Sequence, residues 1–88
     1  EKQKASFAPI CPDFVIELRY ASDTVSSLRK KMEEYIANGT LLGWLIDRQN
    51  RQVYLYRPHR QPEILNAPEV VSGTLELPGF ELVTAKIW

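Results

Sequence analysis

Eighty-eight residues leave room for one small domain with a modest core and a thin margin of stability. Apolar residues at 44% and charged residues at 25% match an ordinary folded protein and exclude a disordered or fibrous chain. Eleven basic and eleven acidic side chains cancel, so there is no global positive field to hold nucleic acid, and any recognition of DNA must come from a local patch.

The first predicted element is a strand over Asp13 to Tyr20, DFVIELRY, which follows Cys11-Pro12 and alternates with period two. Phe14, Ile16, Leu18 and Tyr20 fall on one face, and Asp13, Val15, Glu17 and Arg19 on the other. The expectation is that the first face enters the core and the second presents its charges to solvent. Next, Ala21 to Thr24 supplies helix-capping residues. Val25, Leu28, Met32, Tyr35 and Ile36 then recur at helical spacing until Asn38-Gly39, which predicts an amphipathic helix over Thr24 to Ala37. Arg29/Glu33 and Lys30/Glu34 read as surface pairs four residues apart.

Leu41 to Asp47 and Gln52 to Pro58, separated by Arg48-Gln49-Asn50-Arg51, read as a β-hairpin. The order is then β-α-β-β, with the helix crossing over between two strands free to lie parallel. His59 to Pro68 reads as a loop or short edge strand. One or two short extended pieces follow around the Ser72-Gly73 and Pro78-Gly79 turns. Phe80, Leu82, Val83, Ile87 and Trp88 are expected to fold back as an apolar flap. The single cysteine, Cys11, excludes an intrachain disulfide, and with the one histidine it cannot complete a four-ligand zinc site. A reducing, cytoplasmic setting is the expectation. The longest apolar runs are too short to span a bilayer, and the N-terminus lacks a signal-peptide pattern.

The strings CPDFVIELRYASD, LRKKMEEYIANGTLLGWLID, RQVYLYRP and the closing LPGFEL and IW, in that order, resemble the Uma-two family of restriction endonucleases over about Phe7 to Trp88. The resemblance implies the PD-(D/E)xK nuclease superfamily and an α/β, restriction-endonuclease-like core. This chain would hold the C-terminal portion as a partial β-α-β-β unit with short C-terminal strands, in a single incomplete domain over 1–88. It further implies DNA as substrate and magnesium, or manganese, as cofactor. A chain that starts at Glu1 without a methionine reads as a piece of a longer protein, inactive by itself.

In that superfamily two acids hold the ion, and a lysine two residues beyond the second helps place the attacking water. Hard cations take oxygen ligands, polarise phosphate and lower the pKa of water, and a nearby cation stabilises the charge that develops on the phosphoryl oxygens. The resemblance makes Glu17 a metal ligand and makes Asp13 a second candidate ligand. Asp13 and Glu17, however, are four apart on one strand and so about 13 Å from each other. The true partner acid is therefore expected upstream, with Asp13 marking the strand start or a rim contact.

Glu17 and Arg19 are only about 6.6 Å apart on one face, which suits a ligand beside a phosphate-facing cation, or a plain ion pair. Arg19 stands where the motif has lysine, and arginine can clamp phosphate but cannot act as a base. Lys31, on the flank of the helix beside Leu28 and Tyr35, is a stand-in that could reach the sheet edge. Four arginines, Arg48, Arg51, Arg57 and Arg60, are read as a basic patch around the hairpin. Trp44, Tyr54 and Tyr56 are either packing or base-stacking residues, and His59 is a loop histidine with no strong claim. The rival class is a non-catalytic interaction or regulatory module that keeps the fold, favoured by Arg19 in place of lysine. A sheet lacking its paired neighbour would also expose an edge, inviting a homo-oligomer, including a dimer by exchange of a strand or the flap.

Overall fold

The computed structural model describes residues 13–73 and 76–88. Cys11 and Pro12, and Thr74 within the predicted C-terminal extended segment, lie outside them. Four strands, β1 (Phe14–Leu18), β2 (Leu42–Asp47), β3 (Gln52–Tyr56) and β4 (Glu63–Asn66), form one sheet in the order β1-β2-β3-β4. The helix α1 (Val25–Ala37) connects β1 to β2, which run parallel from Phe14 beside Leu42 to Leu18 beside Ile46. The hairpin is antiparallel, with Asp47 opposite Gln52, and β4 adds antiparallel to β3 as the short edge strand. A second, two-stranded ribbon pairs β5 (Val71–Ser72) with β6 (Glu81–Leu82), and a 3₁₀ turn over Thr84–Lys86 follows.

Local chemistry sets the helix ends. Thr24 accepts a hydrogen bond from the Ser27 amide at 3.1 Å, satisfying one of the first-turn donors that have no partner within the helix. At the other end Asn38 donates its backbone N–H to the last-turn carbonyls. Gly39 then takes a φ of 113°, which residues with a Cβ rarely adopt.

The central strand β2 is buried along its whole length because both faces of the sheet are covered. On one face α1 lays Leu28 and Met32 on Leu45, Tyr54 and Tyr56, with Val15 and Tyr35 at the margin. On the other, Trp44, Ile46, Val53 and Leu55 are capped by Val71, Leu82 and Trp88, the predicted flap. Phe80 joins this second layer, its ring centroid 5.9 Å from Phe14 and 5.7 Å from Trp44. Gly43 permits the close approach of α1, since a Cβ there would sit 2.6 Å from the tip of Met32. Trp44, Tyr54 and Tyr56 are buried, so they are packing residues.

The two faces of β1 differ from expectation. The helix packs on the Val15 and Glu17 side, so these two residues lie beneath α1 instead of facing solvent. The apolar side is covered only at Phe14; Ile16 and Leu18 are 38% and 41% exposed, and Tyr20 beyond the strand end is 67% exposed. The cause is position: among the described residues β1 pairs only with β2, and Phe80 of the flap packs on Phe14. No helix among the described residues is long and apolar enough to cross a membrane.

Candidate functional site

Two carboxylate-cation pairs stand side by side where the parallel strands β1 and β2 end. The first is built on β1 and α1. Glu17, beside Leu45 in the register, directs its side chain to the helix. There Oε2 accepts a hydrogen bond from the Tyr35 hydroxyl at 3.2 Å and meets the Lys31 ammonium at 3.2 Å. Lys31 and Tyr35 are four apart on α1 and so share a face. The Glu17 side chain is 20% exposed and that of Lys31 50%, and Oε1 of Glu17 has no hydrogen-bond or ionic partner among the described residues. Partial burial opposes the charge on Lys31, but the hydrogen bond and the negative charge of Glu17 outweigh it and raise its pKa above the ordinary lysine value. Lys31 is therefore a fixed cation at neutral pH and not a base.

The second pair corrects the alternative in which Arg19 forms its ion pair with Glu17. The Arg19 amide bonds to the carbonyl of Ile46, which puts its side chain beside Asp47, the last residue of β2. Arg19 Nη1 donates to both Asp47 oxygens, at 3.2 and 3.1 Å. Asp47 also accepts from the amides of Gln49 and Asn50 and from the Asn50 side chain, at 3.1, 3.2 and 2.8 Å. Burial disfavours its charge, yet the Asn50 bonds and the Arg19 guanidinium prevail and hold its pKa below the usual aspartate range. Here the carboxylate ties together the hairpin turn and the strand ends.

Of the predicted site residues, then, the fold brings Glu17 and Lys31 together and directs Arg19 to Asp47. Asp13 stands exposed at the entry to β1, where its carbonyl receives the amides of Leu41 and Leu42. The helical spacing assigns Tyr35 only to the buried stripe of the helix, although its distance of four residues from Lys31 signals a shared target. Asp47 was missed as well; the signal was an aspartate placed directly before a polar turn, where its side chain can bond the turn amides. Arg29 lies 5.6 Å over the Tyr54 ring instead of serving only as a surface charge.

The predicted four-arginine patch is divided between opposite ends of the sheet. Arg57 and Arg60 line a cleft of about 420 Å³ with His59 and Glu33, and Arg57 is held by Glu76 at 3.0 Å and Glu63 at 3.9 Å. Arg48 and Arg51 line a second cleft of about 440 Å³ beside Arg19, Tyr20 and Trp88. Strand length separates them, because Arg48 and Arg51 flank the turn and Arg57 follows the far end of β3.

The residues present fit a divalent ion only in part. Glu17 offers a hard oxygen donor with one atom free, but the described residues contain no group of three or more His, Cys, Asp or Glu side chains able to hold a metal.

Comparison with known proteins places this geometry. Among solved structures, the chain resembles one described as a putative nuclease belonging to DUF820 from Anabaena variabilis, with a TM-score of 0.77 and 26% identity. The match covers 89% of this chain and 44% of that one, so the chain spans less than half the length of its neighbour. No curated protein matches. The sequence pattern of the family Uma2, described as "Putative restriction endonuclease", matches residues 1–85, and the chain belongs to that family.

Proposed function

We propose that the protein of which this chain is part is a metal-dependent endonuclease that hydrolyses DNA phosphodiester bonds, with Glu17 as one metal ligand and Lys31 as the cation beside the reacting phosphate. The observation that carries this reading is the Glu17-Lys31 pair at the end of β1: a half-buried carboxylate with one oxygen bonded and the other open, next to an ammonium 3.2 Å away. Family membership supports the class of chemistry, and the PD-(D/E)xK pattern accounts for the residue types, with Lys31 in the role of the motif lysine and Arg19 engaged elsewhere. Magnesium or manganese would polarise the phosphate and activate water. Tyr35 orients the carboxylate through its hydroxyl, and Lys31, charged at neutral pH, stabilises the negative charge that builds on the phosphoryl oxygens. The remaining oxygen ligands belong to residues outside those described, and Asp13, at the other end of β1, serves at most the rim.

In this reading residues 1–88 are the C-terminal portion of a restriction-endonuclease-like domain that acts in the reducing cytoplasm, and the chain by itself is inactive. The edge of β1 that has no partner strand among the described residues, with Ile16 and Leu18 exposed, is then a place where another strand pairs. Light scattering that finds the isolated chain dimeric would agree with that edge being unsatisfied.

The test is cleavage of supercoiled DNA by the whole protein with magnesium or manganese. Cutting that is lost in Glu17→Gln and in Lys31→Met supports the assignment. Cutting unchanged in Glu17→Gln, or no cutting and no metal uptake by the intact protein, overturns it. The second reading, a non-catalytic interaction module, rests on Arg19 being committed to Asp47 and on the incomplete set of acids around Glu17; it predicts the latter outcome.

A further inference from the structure

Beyond the Glu17 site, the cleft at the same end of the sheet gathers charge in a way the fold does not use. Its walls include Arg19, Arg48 and Arg51, and no acidic residue among the described residues lines it. Arg19 is balanced by buried Asp47, and the nearby Asp23 carboxylate is occupied by the Tyr20 amide at 3.0 Å. Arg48 and Arg51 form no ion pair among the described residues. Arg48 is nevertheless held in place, its Nε donating to the Ile87 carbonyl at 3.0 Å while the rest of the guanidinium remains available. Arg51 occupies a left-handed turn position, φ 52°, that glycine or asparagine adopts with less strain. At the mouth stands Tyr20, a large aromatic side chain left 67% exposed.

Two cations carried by the turn, beside an open aromatic ring, match the chemistry of a nucleic-acid strand: phosphate for the guanidinium groups and a base for the ring. Arg19 lies about 6.6 Å beyond Glu17 along β1, so the cleft and the Glu17 site share one end of the sheet. We propose that the cleft formed by Arg19, Arg48, Arg51, Tyr20 and Trp88 binds the backbone of a nucleic-acid strand that runs on to the phosphate at Glu17, with Tyr20 stacked on a base. The inference rests on the nuclease reading for the identity of the strand. It adds a binding site that contributes no chemistry of its own.

Binding of a fluorescent single-stranded oligonucleotide, followed by anisotropy in chelator so that nothing is cut, tests it. The double variant Arg48→Gln/Arg51→Gln should bind about tenfold more weakly, and its dependence on log salt should be shallower by about 1.4, the loss of two phosphate contacts at about 0.7 each. Tyr20→Ala, which alters only an exposed side chain, should weaken binding about fivefold. Arg60→Gln, at the opposite end of the sheet, should change it less than twofold, and millimolar inorganic phosphate should not displace the oligonucleotide. Affinity within twofold of wild type in both the arginine and Tyr20 variants, an equal loss in Arg60→Gln, or full displacement by inorganic phosphate would each overturn the assignment. Glu17→Gln separates the two proposals. If it cuts DNA like the wild type while the arginine variant still loses binding, the nuclease site is misplaced and the strand-binding cleft stands.

Discussion

Glu17 and Asp47 stand near the ends of adjacent strands, each facing a cation, yet they differ in what they leave open to a ligand. Asp47 is 1% exposed, accepts from Arg19, two turn amides and the Asn50 side chain, and has no remaining capacity. Glu17 is 20% exposed, uses one oxygen for Tyr35 and Lys31, and keeps the other open among the described residues. What separates a structural carboxylate from a candidate reactive one here is satisfaction and access, not residue type or charge partner. A buried group whose bonds are complete specifies geometry, whereas a half-open one retains free energy for a ligand.

The largest effect that sharpens this contrast is expected at Asp47. Asp47→Ala leaves Arg19 facing a vacancy and frees the turn amides, and should cost about 3 kcal/mol of unfolding free energy, read by urea denaturation; a loss under about 1 kcal/mol would mean that the turn holds without it. Its titration has a definite sign. The folded-state pKa lies below the unfolded value of about 3.9. Its ionisation therefore stabilises the fold above about pH 4, and that contribution disappears as pH falls through the folded-state pKa. Asp47→Asn should accordingly show a flatter acid limb than the wild type.

Glu17→Gln should show the reverse pattern. Stability should stay within about 1 kcal/mol of wild type, because the pair it breaks is half exposed, while nuclease activity of the whole protein should fall by about 100-fold or more. A variant that unfolded as readily as Asp47→Ala would show Glu17 to be structural and erase the distinction. Tyr35→Phe comes next. Removing a hydroxyl that orients the carboxylate should lower metal affinity or activity about tenfold, with a smaller stability change than Asp47→Ala.

How far this contrast could be read from the sequence depends on range. The helix boundaries, the hairpin and the parallel crossover followed from local signals: Thr24 and Gly39 at the helix ends, the polar Arg48 to Arg51 turn, and the period of the apolar residues. The placing of Lys31 toward the sheet also followed, since a helix flank is fixed by the stripe beside it. What eluded the sequence was pairing across strands. Period two placed Glu17 and Arg19 on one face, but not which face α1 would cover, nor that Arg19, just past the strand end, would meet Asp47, 28 residues away. Likewise four arginines around one hairpin looked like one patch. The length of β3 places Arg57 at the opposite end of the sheet, where Glu63 and Glu76 engage it.

The smallest expected effect concerns Lys31, and it tests what the open pair does. With its pKa raised in the folded state, the contact with Glu17 contributes to stability fully below the unfolded lysine value of about 10.4 and is lost as pH rises through the folded-state value. Half exposure and salt screening keep that contribution below about 1 kcal/mol, so Lys31→Met should differ little from wild type in urea at neutral pH and converge with it at strongly alkaline pH. The functional consequence is more discriminating. A lysine that stays protonated cannot supply the basic limb of a rate profile, so the pH dependence of cleavage between about pH 6 and 9 should have the same shape in Lys31→Arg as in the wild type. Should the limb move with that substitution, Lys31 would be exchanging protons during the reaction, and its role as a fixed cation would be refuted even though the pair itself remained.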